Sequence, residues 1–447
     1  MIQKYIFTSL VCMTSLSAMS LDAVLENALT HNNSLKQTEI ESKKSDALRS
    51  STQSKNFGRF DLIANYDHYN NARTLAPLTP MDIVSTPTGA YEIPATNDLF
   101  SAGVAYNVIL FDGFAQKSSY KISDIAYQNS LIKTNLAKEE LIYNAKSLYV
   151  SLLALQKQLK AQKLYTASQK KLMGHIEDSY KLGSKSKLDF LKAQNSYQEA
   201  LSNEKKMLAN SDILKASLVA LMGGVAFDTA EDIAISFQTS TIQTMAVESL
   251  QRYKLAKAQN SVAQKQIEKS QSAYYPVIDF GAYYGTNFGP NATTNTTPPS
   301  SSVPNTTFIN EGEFNSAEIW QVGLHLKWNL YDFGVKSSFV ESQKLDLVLA
   351  QLSLNDTKLN LQKNYKIARS KLALSVADYE AAVTQYALLS EIAKAEAVKY
   401  ESNAITLDDL LDTQAKELLA KAKMINAKYE SAKAEYYIEY LNEKGEK

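Results

Sequence analysis

The sequence predicts an α+β membrane fold in which each chain supplies two pairs of strands and two hairpins of very long helices. Three observations carry this expectation. All nine prolines fall into two short windows. Alternating apolar and polar residues flank both windows. The two halves of the chain match at an offset of about 220 residues, and a duplicated sequence implies a duplicated architecture.

The first twenty residues read as a secretory leader. Lys4 supplies the positive charge, Tyr5 to Met13 are mostly apolar, and Ala18-Met19-Ser20 offer small residues for cleavage, so the mature chain is expected to begin near Leu21. Lipidation at Cys12 would leave a leader of only about eleven residues, shorter than the usual range. No later run of roughly 18 apolar residues occurs. Membrane contact must therefore come through strands.

Strand signals surround the prolines. Phe60, Leu62, Ala64 and Tyr66 alternate with Asp61, Asn65 and Asp67; Ala102, Val104, Tyr106, Val108 and Leu110 alternate with Gly103, Ala105 and Asn107. The second window repeats the scheme with Ile278, Phe280, Ala282 and Tyr284. It closes on Trp320, Val322, Leu324, Leu326, Trp328 and Leu330, opposite Gln321, Gly323, His325, Lys327 and Asn329. A run of about eleven residues suits a tilted strand that crosses a bilayer. Four strands cannot close a barrel, for which single chains use about eight or more. An open sheet edge in lipid is forbidden, so copies of the chain must close the barrel together; three copies would give about twelve strands.

Between Pro94 and Pro276, and after Pro304, there is no proline, and glycine is scarce. Proline costs about 3 kcal/mol inside a helix, so these tracts are where long helices can run. Gly334 to Tyr400 gives some 65 residues without a breaker, or about 100 Å of helix. In the last tract Leu411, Ala415, Leu418, Ala422, Ile425, Tyr429, Ala432 and Tyr436 alternate spacings of four and three, the coiled-coil period.

The duplication is readable residue by residue. Leu110-Phe111-Asp112-Gly113 corresponds to Leu330-Tyr331-Asp332-Phe333-Gly334, and Lys117-Ser118-Ser119 to Lys336-Ser337-Ser338. Further on, Tyr180 matches Tyr400, Gly183 matches Asn403, Asp189 matches Asp409 and Gln194 matches Gln414. Gly183 and Asn403 are the expected tip turns of two helical hairpins.

Composition excludes several classes. Formal net charge is zero with Lys and Arg dispersed, which leaves no footprint for nucleic acid. Cys12 is the only cysteine and lies in the leader, so neither a disulfide framework nor a thiol nucleophile is expected. His31, His68, His175 and His325 are far apart and none has a second ligand at metal spacing. No enzyme constellation, metal or cofactor is expected, and His325 is placed on a wet face of its strand.

From Leu21-Asp22-Ala23-Val24-Leu25-Glu26-Asn27-Ala28-Leu29 through Leu221-Met222-Gly223-Gly224 to the last helix, the chain resembles the TolC-like outer-membrane efflux protein family, the outer membrane factors. The resemblance implies a trimeric twelve-stranded β-barrel, four strands per protomer, continuous with a long antiparallel α-helical coiled-coil barrel in the periplasm. It implies a passive exit duct of an efflux or type I secretion system. Its expected partners are two further copies, a periplasmic adaptor, an inner-membrane pump of RND or ABC type, and outer-membrane lipid. On this pattern residues 1–20 are leader, and 21–56, 113–222, 241–274 and 334–443 form the helical barrel. Residues 57–111 and 276–332 bear the strands, with external loops 71–97 and 289–316, and 223–240 belong to the equatorial region. A trimeric adhesive stalk with a membrane anchor is the alternative.

The family pattern also implies a closed periplasmic tip. Asp409 and Asp412 correspond to entrance-ring aspartates and lie on one helical face. Carboxylate rings favour cations. Acids near a helix N-terminus also act as caps, and Asp408 is read as a capping or surface residue. Tyr400 and Asp189 correspond to gate contacts, but the family's arginine position is Ile405 here, with Lys185 and Lys187 in the neighbouring tip as possible substitutes.

Overall fold

The computed structural model describes residues 18–77, 95–235, 246–290, 313–402 and 404–444. In chain order the elements are α1 (Leu21–His31), α2 (Asn33–Ser54), β1 (Arg59–Thr74), β2 (Ala95–Phe111), α3 (Ala115–Lys181) and α4 (Lys187–Leu221). They continue with α5 (Gln251–Gln271), β3 (Val277–Pro290), β4 (Phe314–Lys327), α6 (Val335–Glu401) and α7 (Leu407–Leu441). Helices α3 and α6 are each 67 residues long, and α4 and α7 each 35. Two compact units result: residues 1–43, 129–257 and 352–447, and residues 44–128 and 258–351. The second holds the sheet together with the helix ends that adjoin it, so compactness does not follow the strand–helix boundary.

The sheet is antiparallel in the order β1-β2-β3-β4. Its registers align Phe60 with Tyr106, Tyr106 with Ala282, and Tyr284 with Trp320, so the alternating apolar residues of all four strands share one face. That face is open: Leu62, Phe60, Trp320 and Leu324 are among its exposed side chains. The strands run two to four residues into the segments expected as loops, because polar residues there keep the ladder, as in Arg73–Thr96 and Gly289–Asn315. Residues 78–94 and 291–312 of the expected loops lie outside the described residues. At the other end the sequence alternation overreaches. It continues to Leu330, whereas β4 stops at Lys327. Lys327 pairs with Val277, the residue after Pro276, and there is no strand beyond Pro276 to pair with Trp328; Trp328 Nε1 instead donates to the Tyr274 carbonyl at 3.1 Å.

On the polar face the Tyr283 ring lies across Gly103 and Gly285, which are directly paired. A Cβ at Gly285 would sit 2.5 Å from Tyr283 Oη and 2.6 Å from the Ala102 carbonyl oxygen, a backbone atom that cannot yield. Gly285→Ala is expected to destabilise the sheet by about 1–3 kcal/mol, as overpacking does. Thermal unfolding in detergent checks this, with Gly281→Ala, whose nearest neighbour is 3.5 Å away, as the tolerated control.

In the helical unit, Val24 and Ala28 of α1 pack with Ala145, Tyr149 and Leu153 of α3, Leu218 of α4 and Tyr429 and Ala432 of α7. The eight seam residues read from the last tract are all buried or half-buried. Tyr149 is fully buried, and burial pushes its hydroxyl up to about 12, so it stays a donor. Its Oη lies 2.8 Å from the Met19 carbonyl and 2.7 Å from that of Glu231. Met19 also bridges to Ala230, donates to Thr229 O and accepts from Glu231 N, while Ser20 Oγ caps α1 through Ala23 N. Residues 1–17 of the expected leader lie outside the described residues.

The chain's last described turn closes on α5. Glu443 accepts from Gln251 N at 2.5 Å and Arg252 N at 3.1 Å, capping α5 from 192 residues away. Arg252 stacks over the Tyr440 ring at 4.2 Å and donates to the Tyr440 carbonyl.

Candidate functional site

Two surfaces carry the functional expectations, the hairpin tips and the sheet faces. At the tips, α3 turns into α4 and α6 into α7. Gly183 takes φ +78° with open space around it, a left-handed conformation that suits glycine. Its counterpart Asn403 lies outside the described residues. Each following helix opens with a capping box. Ser186 Oγ accepts from Asp189 N at 3.1 Å while Asp189 Oδ2 accepts from Ser186 N and Oγ. Thr406 and Asp409 repeat this, with Thr406 Oγ1 donating to Asp409 Oδ2 at 2.6 Å.

These bonds set the charge of both acids. The Ser186 hydroxyl, then its backbone N–H, hold Asp189 below the usual carboxylate range, and Thr406 does the same for Asp409. A lowered folded pKa means that the caps contribute above the ordinary carboxylate pKa. Their contribution is lost as the pH falls through the lowered value. Both aspartates are therefore anionic at neutral pH, but each has one oxygen committed to its own helix.

The remaining tip residues separate. Asp412 pairs with Lys416 at 2.5 Å one turn along α7. Asp408, assigned to capping or surface, is exposed in the first turn of α7 and also reaches Lys192 of α4 at 2.5 Å, joining the two hairpins. Tyr400 packs against the cluster of Ile176, Ala193 and Leu407, its hydroxyl without a hydrogen-bond partner, and Lys185 Nζ lies 5.0 Å over its ring. Within the protomer no bond joins Tyr400 to Asp189, whose Oδ2 is held by Ser186. Sequence reasoning missed Lys192. The signal was available: at the repeat offset Lys192 stands where the second half has Asp412, a reversal of charge at matched tips.

On the apolar face of the sheet the aromatic rings gather at two levels. Phe60, Tyr106 and Phe280 contact one another in sequence at 4.6 and 6.3 Å. Tyr66, Phe288 and Phe314 surround Phe100 at 4.8, 5.4 and 6.4 Å. Along β2 the levels are six residues apart, about 20 Å along the strand. The opposite face is polar: His325 Nδ1 lies 3.1 Å from Asp279 Oδ2, its ring close to Gly281 and Gly323. Among the described residues β1 and β4 have no strand on their outer sides.

A family model described as outer membrane efflux protein matches residues 24–224 and 250–439. No curated protein sequence matches the chain at a significant level. Among solved structures, the chain is similar to a membrane protein from Pseudomonas aeruginosa, at 15% identity and TM-score 0.77, over 94% of this chain and 90% of that one. It is similar to the CmeC outer membrane channel of Campylobacter jejuni at 16% identity and TM-score 0.75, over 95% and 86%. The open-state MtrE outer membrane channel of Neisseria gonorrhoeae matches at 12% identity and TM-score 0.70, over 95% and 89%.

Proposed function

Since the chain belongs to the outer membrane efflux protein family, we propose that three copies join edge to edge into one passive exit duct, opened at its periplasmic tip by partner proteins. Outer-membrane efflux follows from the family; the trimer, the gate and the partners are the finer reading. The observation that carries the trimer is the four-stranded sheet with an apolar outer face, a polar inner face and two open edges. In lipid such edges must be paired, and pairing β4 of one copy with β1 of the next does so without new structure.

The helical hairpins then converge at the tip with three sets of Asp409 and Asp412. The polar sheet face, with Asp279 and His325, lines the exit. No catalytic residue is needed, because energy comes from an inner-membrane pump of RND or ABC type through a periplasmic adaptor. Exposed Leu182 and Leu188 at the tip turn suit an adaptor contact. The adhesive stalk fits less well, since its single terminal anchor is at odds with strands divided between two repeats.

The test is single-channel recording in planar bilayers. Replacing Asp409 and Asp412 together by Ala is expected to weaken block by a multivalent cation about tenfold, as loss of a carboxylate ring does. Asp409 also caps α7, so Asp412→Ala alone, which leaves the cap intact, separates charge from folding. Unchanged block in both variants sinks the ring assignment. A purified protein that is monomeric in detergent contradicts the barrel.

A further inference from the structure

The histidines are far apart in sequence, yet the sheet pairs two of them with acids on neighbouring strands. His68 Nδ1 lies 2.7 Å from Asp98 Oδ1, which also accepts from Tyr66 Oη at 2.8 Å; these residues continue the apolar face. His325 stands on the polar face, directly paired with Asp279, whose Oδ2 is 3.1 Å from His325 Nδ1. In a neutral imidazole held this way the Nδ1 proton faces the carboxylate, which leaves the lone pair on Nε2. A carboxylate behind one ring nitrogen is the arrangement that orients metal-ligating histidines and raises their basicity. Among the described residues Nε2 of His325 has no hydrogen-bond partner, and the side chain is 59% exposed.

The wall beside Nε2 is bare backbone. Gly281 and Gly323 are paired with each other on the same face, the next inward positions after Asp279 and His325. A Cβ at Gly323 would stand 3.3 Å from Nε2, and one at Gly281 would stand 3.5 Å from both His325 Cε1 and Asn107 Oδ1. Neither glycine takes positive φ, so no turn requires them. Glycine weakens a strand and often marks the close approach of a ligand. The gap they leave is flanked by an imidazole nitrogen and an amide oxygen. Lys327, two residues further along the same face, opposes any cation. The local field therefore does not select the ligand; a direct bond from nitrogen does. Imidazole suits zinc, copper and nickel, whereas magnesium and calcium prefer oxygen.

We propose that His325, oriented by Asp279, binds a borderline divalent cation (zinc, nickel or copper) through Nε2, one site on the polar sheet face of each chain. Water completes the coordination shell. The effect on flow rests on the reading of that face as the lumen of the duct: a cation held there obstructs the exit and adds positive charge to it. Binding itself needs only the geometry of one chain. The site differs in kind from the tip carboxylates, which attract cations by charge without preferring nitrogen-seeking metals.

Single-channel recording in planar bilayers compares nickel with magnesium, whose block reports the carboxylates alone. Nickel is expected to block the full-length protein at a concentration about a hundredfold lower than magnesium, because only nickel gains from the imidazole. His325→Ala should abolish this preference. Asp279→Ala, which removes the orienting carboxylate, should weaken nickel block about tenfold. His68→Ala, on the apolar face, should leave nickel block as it was. Equal block by the two metals overturns the proposal, as does a preference that survives His325→Ala or is lost equally in His68→Ala. A second readout needs no conduction. Copper added to the purified protein in detergent should show nitrogen hyperfine coupling in electron paramagnetic resonance, reduced in His325→Ala. If no channels form but this signal falls, the duct reading fails and the site stands; a signal that His325→Ala leaves unchanged overturns the site.

Discussion

Lys192→Glu is expected to raise the leak conductance of the closed duct about tenfold. Lys192 and Asp408 are the one ion pair among the described residues that joins the tip helices of the two repeats, at 2.5 Å. The pair is 37% and 61% exposed, so solvent screening keeps it to about 0.5 kcal/mol. Three copies acting on one concerted opening give about 1.5 kcal/mol, roughly a tenfold change in the ratio of open to closed. Reversal adds repulsion to the lost attraction and pushes the effect further. The leak should shrink in high salt, which screens exposed charges. Lys192→Glu combined with Asp408→Lys should restore closure, less the cost of a cation in the first turn of α7. A leak that the exchange does not reduce means that the pair is no latch.

Glu443→Ala is expected to be the most destabilising change outside the apolar core, at about 3 kcal/mol. Its carboxylate is only 6% exposed, accepts two backbone N–H groups at the start of α5, and lies 3.9 Å from the Arg252 guanidinium. Truncation leaves two donors unsatisfied and a cation, itself only 20% exposed, without its anion. Hydrogen exchange at Gln251 to Lys254 should accelerate first, and the thermal transition should fall. Glu443→Gln keeps one carbonyl acceptor and should lose about half as much. Unaltered exchange at these amides would show that the contact carries no stability.

Most of the architecture was legible because local rules and long-range order agree in it. The 3.5-residue seam in α7, the proline-free tracts and the alternation at Phe60–Tyr66 and Trp320–Leu326 each state an element directly. The repeat offset then sets the helix ends, which fall at matched positions: Ala115 and Val335, Lys181 and Glu401, Lys187 and Leu407. What stayed hidden depends on partners distant in sequence. Glu443 looks like a tail residue until α5 is beside it. Lys192 and Asp408 each read as a solvated surface charge. The Trp328–Leu330 alternation misleads because the strand's end is decided by its neighbour, where Pro276 precedes the last ladder residue. At the tip, Thr406-x-x-Asp409 and Ser186-x-x-Asp189 announce caps by spacing alone.

The matched helix lengths have a consequence for how such a chain can change. With 67 and 35 residues in each hairpin, the two tips of a protomer stay level only while both halves keep the same count. A heptad lost from both helices of one hairpin preserves its seam but leaves its tip about 10 Å short of the other. Lengthening or shortening the duct therefore requires paired edits some 220 residues apart, equal in size and in phase with the heptad. Duct length is in this sense a quantity written twice in the gene, and neither copy can drift alone.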